Sequence, residues 1–340
     1  MRPNFILALL ACITFTVQAQ TDTLFYGINL AGAEFSSNQP GVYGKDYIYP
    51  SEKQLDYYQS KGFRLIRLPF KWERIQPELY GQLDPTELNR MEEFIREADK
   101  RNMLVIPDMH NYGRRKINGT SFLIGSSSLP VAAYTDVWKK LATVFSSYQN
   151  IWAYGIMNEP YEMLKEHPWS AIAQKTIDAI RTVDKTTVIL IPGDNFSSAR
   201  WWKEHSNNLK YLKDPSNKIV FEAHIYFDKD YSGKYHGSYT EEGAYATIGI
   251  DRVKPFVEWL EANNLKGFIG EYGVPHDDVR WLVVLENFLQ YLQQHCIPAT
   301  YWAGGPWWGD YNLSLEPVNG VEKHPMMVVE KYLFVPPSCK

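Results

Sequence analysis

The sequence predicts an α/β fold of a single domain, a (β/α)8 TIM barrel, on three observations. Short apolar, β-rich runs alternate with helical periodicity about eight times along the chain. The polar residues that break these runs sit at their C-terminal ends, where a barrel gathers the loops of its active face. No glycine-rich phosphate loop follows the first run, as an open doubly wound sheet would require.

The first run covers 25–30 and the second 64–70, with Arg67 inside it. A helical stretch follows over 86–101, where Thr86 and Asn89 read as its start. The third run, 104–110, ends in His110, and helical periodicity resumes over 134–148. The fourth, 151–158, delivers Asn158 and Glu159 to a strand end, and Pro160 then stops further pairing. After a helix over 169–183 come the fifth run, 187–192, and the sixth, 219–226, which carries His224 and Tyr226. A helix over 245–263 leads to the seventh, 267–271, where Glu271 lies between Gly270 and Gly273. The last helix, 277–295, opens on Asp277 and Asp278 and leads to the eighth run, 299–302, which ends in Trp302.

The 340 residues would suit one large domain or two ordinary ones, but no Pro/Thr/Ser-rich linker or low-complexity tract divides them. One domain over 20–340 is therefore expected. At 45% hydrophobic and 22% charged the composition is that of a globular protein. A net charge of −4 without a basic block argues against nucleic acid or an anionic membrane as partner. The 11 Trp, 23 Tyr and 16 Phe fill a core first, but also provide surfaces that stack on flat apolar faces such as sugar rings.

Residues 1–19 read as a secretory signal peptide: Arg2, an apolar stretch to Val17, then small residues before cleavage after Ala19. The product would be secreted, extracellular or periplasmic, and free of the membrane. A lipoprotein, anchored at Cys12, is the alternative. Cys296 and Cys339 then remain, and sequence leaves their pairing open. No metal or cofactor is expected, because His110, His224 and His236 lack ligand spacing. The stretch 228–233 imitates the start of an EF-hand loop, but Tyr239 stands where its last ligand should be Glu. Asn118-Gly119-Thr120 is a glycosylation sequon.

A lone strand-end glutamate is most simply half of a salt bridge. Two of them, Glu159 and Glu271, framed by Gly and Pro on separate strands of one barrel rim, can instead face each other across a bound bond. Glycoside hydrolysis needs that pair: one carboxyl protonates the leaving oxygen while the other attacks or stabilises the anomeric carbon.

The motifs GINLAGAEF from Gly27, RLIRLPFKWERIQP from Arg64, IPDMHN from Ile106, GIMNEP from Gly155, FEAHIYFD from Phe221, GEYG from Gly270 and YWAGG from Tyr301 follow one another in order. Together they resemble glycoside hydrolase family 5, the cellulase A family of retaining (β/α)8 enzymes. The resemblance implies Glu159 as acid/base, Glu271 as nucleophile, and Asn158 as the partner of the sugar 2-hydroxyl. It further implies that Arg67 and Tyr226 position the nucleophile, that His110 and His224 shape the site, and that Trp302 is a sugar platform. Glu271, beside a cation and a phenol, should stay ionised, whereas Glu159, with no such partner in its motif, should start protonated. Of the tryptophan pairs after the fifth and eighth strands, Trp201–Trp202 and Trp307–Trp308, at least one ring each should stack on sugar; Trp202, Trp307 and Trp308 are the candidates, and packing beneath the loops is the alternative. The expected activity is that of a monomeric endo-β-1,4-glucanase acting on cellulose-like and mixed-linkage glucans, without cofactor. A mannanase, xylanase or xyloglucanase on the same scaffold, or an inactive carbohydrate-binding barrel, would share most of these features.

Overall fold

A computed structural model describes residues 26–333. The signal peptide, Cys12 and Cys339 lie outside the described residues. Ten strands occur among them: β1 (Tyr26–Leu30), β2 (Leu65–Phe70), β3 (Leu104–Met109), β4 (Arg114–Ile117), β5 (Thr120–Leu123), β6 (Ala153–Gly155), β7 (Val188–Pro192), β8 (Ile219–His224), β9 (Gly267–Tyr272) and β10 (Ala299–Gly304). Eight of them close a parallel barrel in the order β1-β10-β9-β8-β7-β6-β3-β2. All eight are the apolar runs read from sequence, six with their ends trimmed and two, β9 and β10, extended by one and two residues. The largest trim is at β6, three residues long: beyond Gly155 the chain stops pairing regularly, and Asn158 N–H reaches Met109 O at 2.8 Å instead.

Alternation along the strands stacks the barrel interior in layers. Leu65, Ile106, Ala153, Leu190, Val220 and Phe268 form a separate apolar cluster. Two residues further along the same strands stand Arg67, Asp108, Gly155, Pro192, Glu222 and Gly270, so half of the layer above the apolar floor is charged, and all of it is buried. The intervening residues, such as Ile66, Leu68 and Ile189, join the main core under the helices. A bulge breaks the alternation on β9: Ala223 pairs with Ile269, but His224 pairs with Glu271, leaving Gly270 as the extra residue. That shift turns Glu271 to the same side as His224.

Helices Glu52–Ser60, Pro85–Lys100, Val131–Phe145, Trp169–Arg181, Ile248–Asn263, Arg280–Gln294 and His324–Leu333 form the outer ring. Their buried residues recur at helical spacing, as Tyr134, Val137, Trp138, Leu141, Ala142 and Phe145 do. The start of Pro85–Lys100 differs from the sequence expectation. Asp84, not Thr86, is its N-cap, and its side chain accepts the Glu87 N–H at 2.8 Å. No long helix joins β7 to β8; short turns, Trp202–His205 and Asn207–Tyr211, take that place. The hairpin β4–β5 was not foreseen, although Asn118-Gly119 at its tip, with φ of 50° and 81°, is a favoured two-residue turn. Cys296 is disulfide-bonded.

Candidate active site

Arg67 is the centre of the polar layer. Its side chain is wholly buried and meets three carboxylates at 3.0 Å each: Asp108 Oδ1, Glu222 Oε1 and Glu271 Oε1. It also donates to Asn29 Oδ1 at 2.9 Å and Asn158 Oδ1 at 2.8 Å. Three carboxylates around one cation cannot all ionise cheaply. Burial pushes the Asp108 carboxyl well up despite Arg67. At Glu222 burial also opposes the charge, but Arg67 and His224 outweigh it and hold that carboxyl below its ordinary value.

Above this layer, Glu271 lies in the β9 bulge with two donors on its carboxylate, Arg67 at 3.0 Å and the Tyr226 hydroxyl at 2.8 Å. Burial and the adjacent Glu271 keep the Tyr226 phenol protonated, so it remains a donor. Glu159 follows β6 in a left-handed backbone conformation, φ 43°, which a residue with a Cβ adopts only when its surroundings enforce it. The Asn158 and Tyr112 main chains bond at 3.0 Å beside it, and Pro160 follows. Carboxylate oxygens of Glu159 and Glu271 and the Nδ1 of His224 all lie within 4.8 Å of one another.

Contrary to the sequence expectation, Glu159 does have a partner. His224 Nδ1 stands 2.7 Å from its Oε1, and the opposite ring nitrogen, Nε2, stands 3.3 Å from Glu222 Oε1. Burial pushes the Glu159 carboxyl up. Burial opposes a charge on His224, but Glu271, Glu159 and Glu222 outweigh it and hold its pKa at about 10. Both directions describe one proton retained between the two groups well above the carboxylate range.

His110 stands on the other side of the centre. Burial, then Lys71 and Arg67, depress its pKa well below 6.5 and keep the ring neutral. Its Nδ1 faces Asp108 Oδ2 at 2.9 Å and its Nε2 faces the Tyr112 hydroxyl at 3.2 Å. The ring stacks on Trp302 at 5.5 Å and 14°. Trp302 in turn packs edge-on against Trp308, whose Nε1 is tied to Gly304 O at 2.9 Å. Trp307 on the same rim is 48% exposed.

Of the sequence candidates, Trp202 does not reach the site. It is fully buried against Phe256 and Trp259 of the helix Ile248–Asn263. Its neighbour Trp201, 38% exposed, is the ring on the active face. Trp201, Phe196 and Tyr231 join Glu159, His224 and Tyr226 around a cavity of about 470 Å³. Asp228, in the EF-hand-like stretch, uses its carboxylate on the N–H groups of Gly233, Lys234 and Tyr235. Asp108, Glu222 and Asn29 were missed. A signal for the first two was present: Asp108-x-His110 and Glu222-x-His224 place acid and histidine on the same face of a strand.

Comparison with known proteins identifies the family. The family model for cellulase (glycosyl hydrolase family 5) matches residues 19–307. Endo-β-1,4-glucanase B of Emericella nidulans is 33% identical over 315 residues, 91% of each chain. Among solved structures, the Pseudomonas stutzeri endoglucanase Cel5A in complex with cellobiose is 40% identical, with a TM-score of 0.86, and the match covers 93% of this chain and 96% of that one. An endo-β-1,4-glucanase of Xanthomonas axonopodis pv. citri, carrying three substitutions, is 36% identical with a TM-score of 0.84 over 91% of this chain and 99% of that one.

Proposed function

The chain belongs to the cellulase family, glycosyl hydrolase family 5, and from that premise we propose that it is a secreted, retaining endo-β-1,4-glucanase with Glu159 as acid/base and Glu271 as nucleophile. The observation that carries this reading is the pair itself. Two glutamates from β6 and β9 bring carboxylate oxygens within 4.8 Å of each other, each with a different partner. Inverting enzymes need a gap of roughly 6.5–9.5 Å for a water, whereas retaining ones need about 5–5.5 Å.

In the first step the Glu271 carboxylate bonds to the anomeric carbon while Arg67 and Tyr226 fix its two oxygens. The bond to the leaving oxygen breaks and takes the proton held between Glu159 and His224. In the second step a water gives its proton to Glu159, its oxygen bonds to the anomeric carbon, and Glu271 departs. Asn158 directly precedes Glu159 and accepts from Arg67 through its Oδ1; its amide nitrogen, without a protein partner, is the group proposed to meet the sugar 2-hydroxyl. Trp302, stacked on His110, is the proposed platform under that sugar.

The alkaline limb of kcat/KM is expected to report loss of the proton between Glu159 and His224. Glu159→Gln should remove that limb on aryl cellobiosides with good leaving groups, which need little acid assistance. Survival of an unchanged limb there would assign it to another group and remove Glu159 from the role of acid.

Exposed rings at Phe196, Trp201 and Trp307 spread aromatic surface along the rim. Binding energy from remote sugars then assists the reacting centre, so kcat should rise with oligosaccharide length. Internal cutting should lower the viscosity of barley-type glucan faster than reducing ends accumulate. Parallel initial rates on barley-type glucan, carboxymethyl-cellulose, glucomannan and xylan test the substrate. Mannan or xylan as clearly the best substrate, or viscosity lagging behind reducing ends, would replace the endoglucanase reading with another glycanase.

Secretion rests on the amino-terminal pattern, and among the described residues no helix is long and apolar enough to cross a membrane. Amino-terminal sequencing of enzyme recovered from the medium should begin at Gln20.

A further inference from the structure

We propose that Glu222, a residue outside the sequence-derived site, is a positioning residue that couples the two glutamates through a single carboxylate oxygen. This rests on the reading of Glu159 as the acid. Glu222 Oε1 lies 3.0 Å from Arg67 Nε, whose guanidinium carries Glu271, and 3.3 Å from His224 Nε2, whose imidazole faces Glu159.

The strand sequence is arranged to admit this side chain. Gly270, directly before the nucleophile, is the extra residue of the β9 bulge, and a Cβ there would overlap the Glu222 carboxylate and approach His224 Nε2 at 2.7 Å. The glycine of the GEYG motif therefore leaves room for Glu222 as well as shaping the bulge. Glu222 is fully buried, and its Oε2 meets no protein donor. A half-satisfied buried carboxylate is costly to a fold, so its place beneath the site calls for a role beyond stability.

The role follows from the two nitrogens of His224. With Glu222 accepting from Nε2–H, its anion makes Nδ1 more basic, so the pair of Nδ1 and Glu159 Oε1 keeps its shared proton to higher pH. Without that anion the pair gives up its proton at lower pH, leaving Glu159 as a carboxylate with no proton to give. Other charged groups around the imidazole are Glu271 on β9, Arg67 on β2, and Asp108 on β3, with neutral His110 beyond it. Glu271 also reaches both, but through separate oxygens, Oε1 to Arg67 at 3.0 Å and Oε2 to His224 Nδ1 at 3.6 Å, whereas Glu222 meets the guanidinium and the imidazole through Oε1 alone. Asp108 reaches Arg67 and His110 but not His224 at contact distance.

The test is the pH profile of kcat/KM on a neutral cello-oligosaccharide. Glu222→Gln removes an anion facing His224, so the last proton leaves the Glu159–His224 pair at lower pH. The alkaline limb should move down by about one to two pH units, with kcat reduced and KM nearly unchanged. Glu222→Asp keeps the charge and should restore most of the shift. Asp108→Asn, in the same layer, should leave the limb in place. In the wild-type enzyme, the 15N chemical shifts of His224 should titrate together with the alkaline limb, a readout that needs no variant to fold. An unmoved limb in folded Glu222→Gln, an equal shift in Asp108→Asn, or His224 15N shifts that do not move across the limb in the native enzyme would overturn the proposal. Failure of the underlying reading has its own mark: the limb would then persist in Glu159→Gln.

Discussion

Glu271→Ala should lose at least about 10⁴-fold in kcat on every substrate, because it removes the atom that forms the covalent intermediate. Glu159→Ala should lose about 10²- to 10⁴-fold on glucan, and much less on aryl cellobiosides with good leaving groups, since acid assistance matters only when the leaving oxygen is basic. Added azide separates the two roles by stereochemistry. In Glu159→Ala the glycosyl-enzyme still forms on Glu271, and azide attacks it from the opposite face to give the β-azide. In Glu271→Ala azide fills the space of the lost carboxylate, displaces the leaving group directly and gives the α-azide. Exchange of these products would exchange the two assignments. The wild-type enzyme should release the β-anomer first by proton NMR; an initial α-anomer would mean inversion and refute the double displacement.

The largest effect on stability is expected at Arg67. Arg67→Met leaves the buried carboxylates of Asp108, Glu222 and Glu271 without their shared cation, and removing one partner of a buried ion pair costs about 3–5 kcal/mol. In a chain of this size that lowers Tm by roughly 4–7 °C. The pH dependence has a definite sign. Clustered carboxylates without a cation hold protons more tightly in the folded than in the unfolded state, so stability falls as pH rises. The deficit should be smallest near pH 4, where the unfolded carboxyls are themselves protonated, and should grow towards neutrality. Arg67→Lys restores the charge but not the planar fork that meets three carboxylates. It should recover part of the stability and little of the activity. A Tm deficit in Arg67→Met that did not change between pH 4 and pH 7 would mean that packing, not charge, is what Arg67 supplies.

The barrel and its chemistry were legible for related reasons. Each strand is buried on both faces and reads as an apolar run, so a polar residue at its end is conspicuous: His110, Glu159, His224, Glu271 and Trp302 all stand out in that way. The tryptophan pair after β7 was ambiguous because two adjacent aromatics give no phase. Only the tertiary packing shows that Trp202 turns inward against Phe256 and Trp259 while Trp201 stays exposed. The cap at Asp84 was displaced by two residues because Pro85 begins the helix earlier than the periodicity does.

Order along the chain, the strand-end positions of both glutamates and the presence of Arg67 were determined by sequence alone, since a period of two residues and a break in apolarity are local properties. Tertiary structure decided the rest. The bulge that turns Glu271 inward, the contact between Glu159 and His224, and the meeting of Arg67 with Asp108, Glu222 and Glu271 depend on how strands distant in the chain register against each other. Those contacts set which carboxyl keeps a proton, because in a buried layer the field of a neighbour a few ångströms away outweighs a side chain's intrinsic acidity.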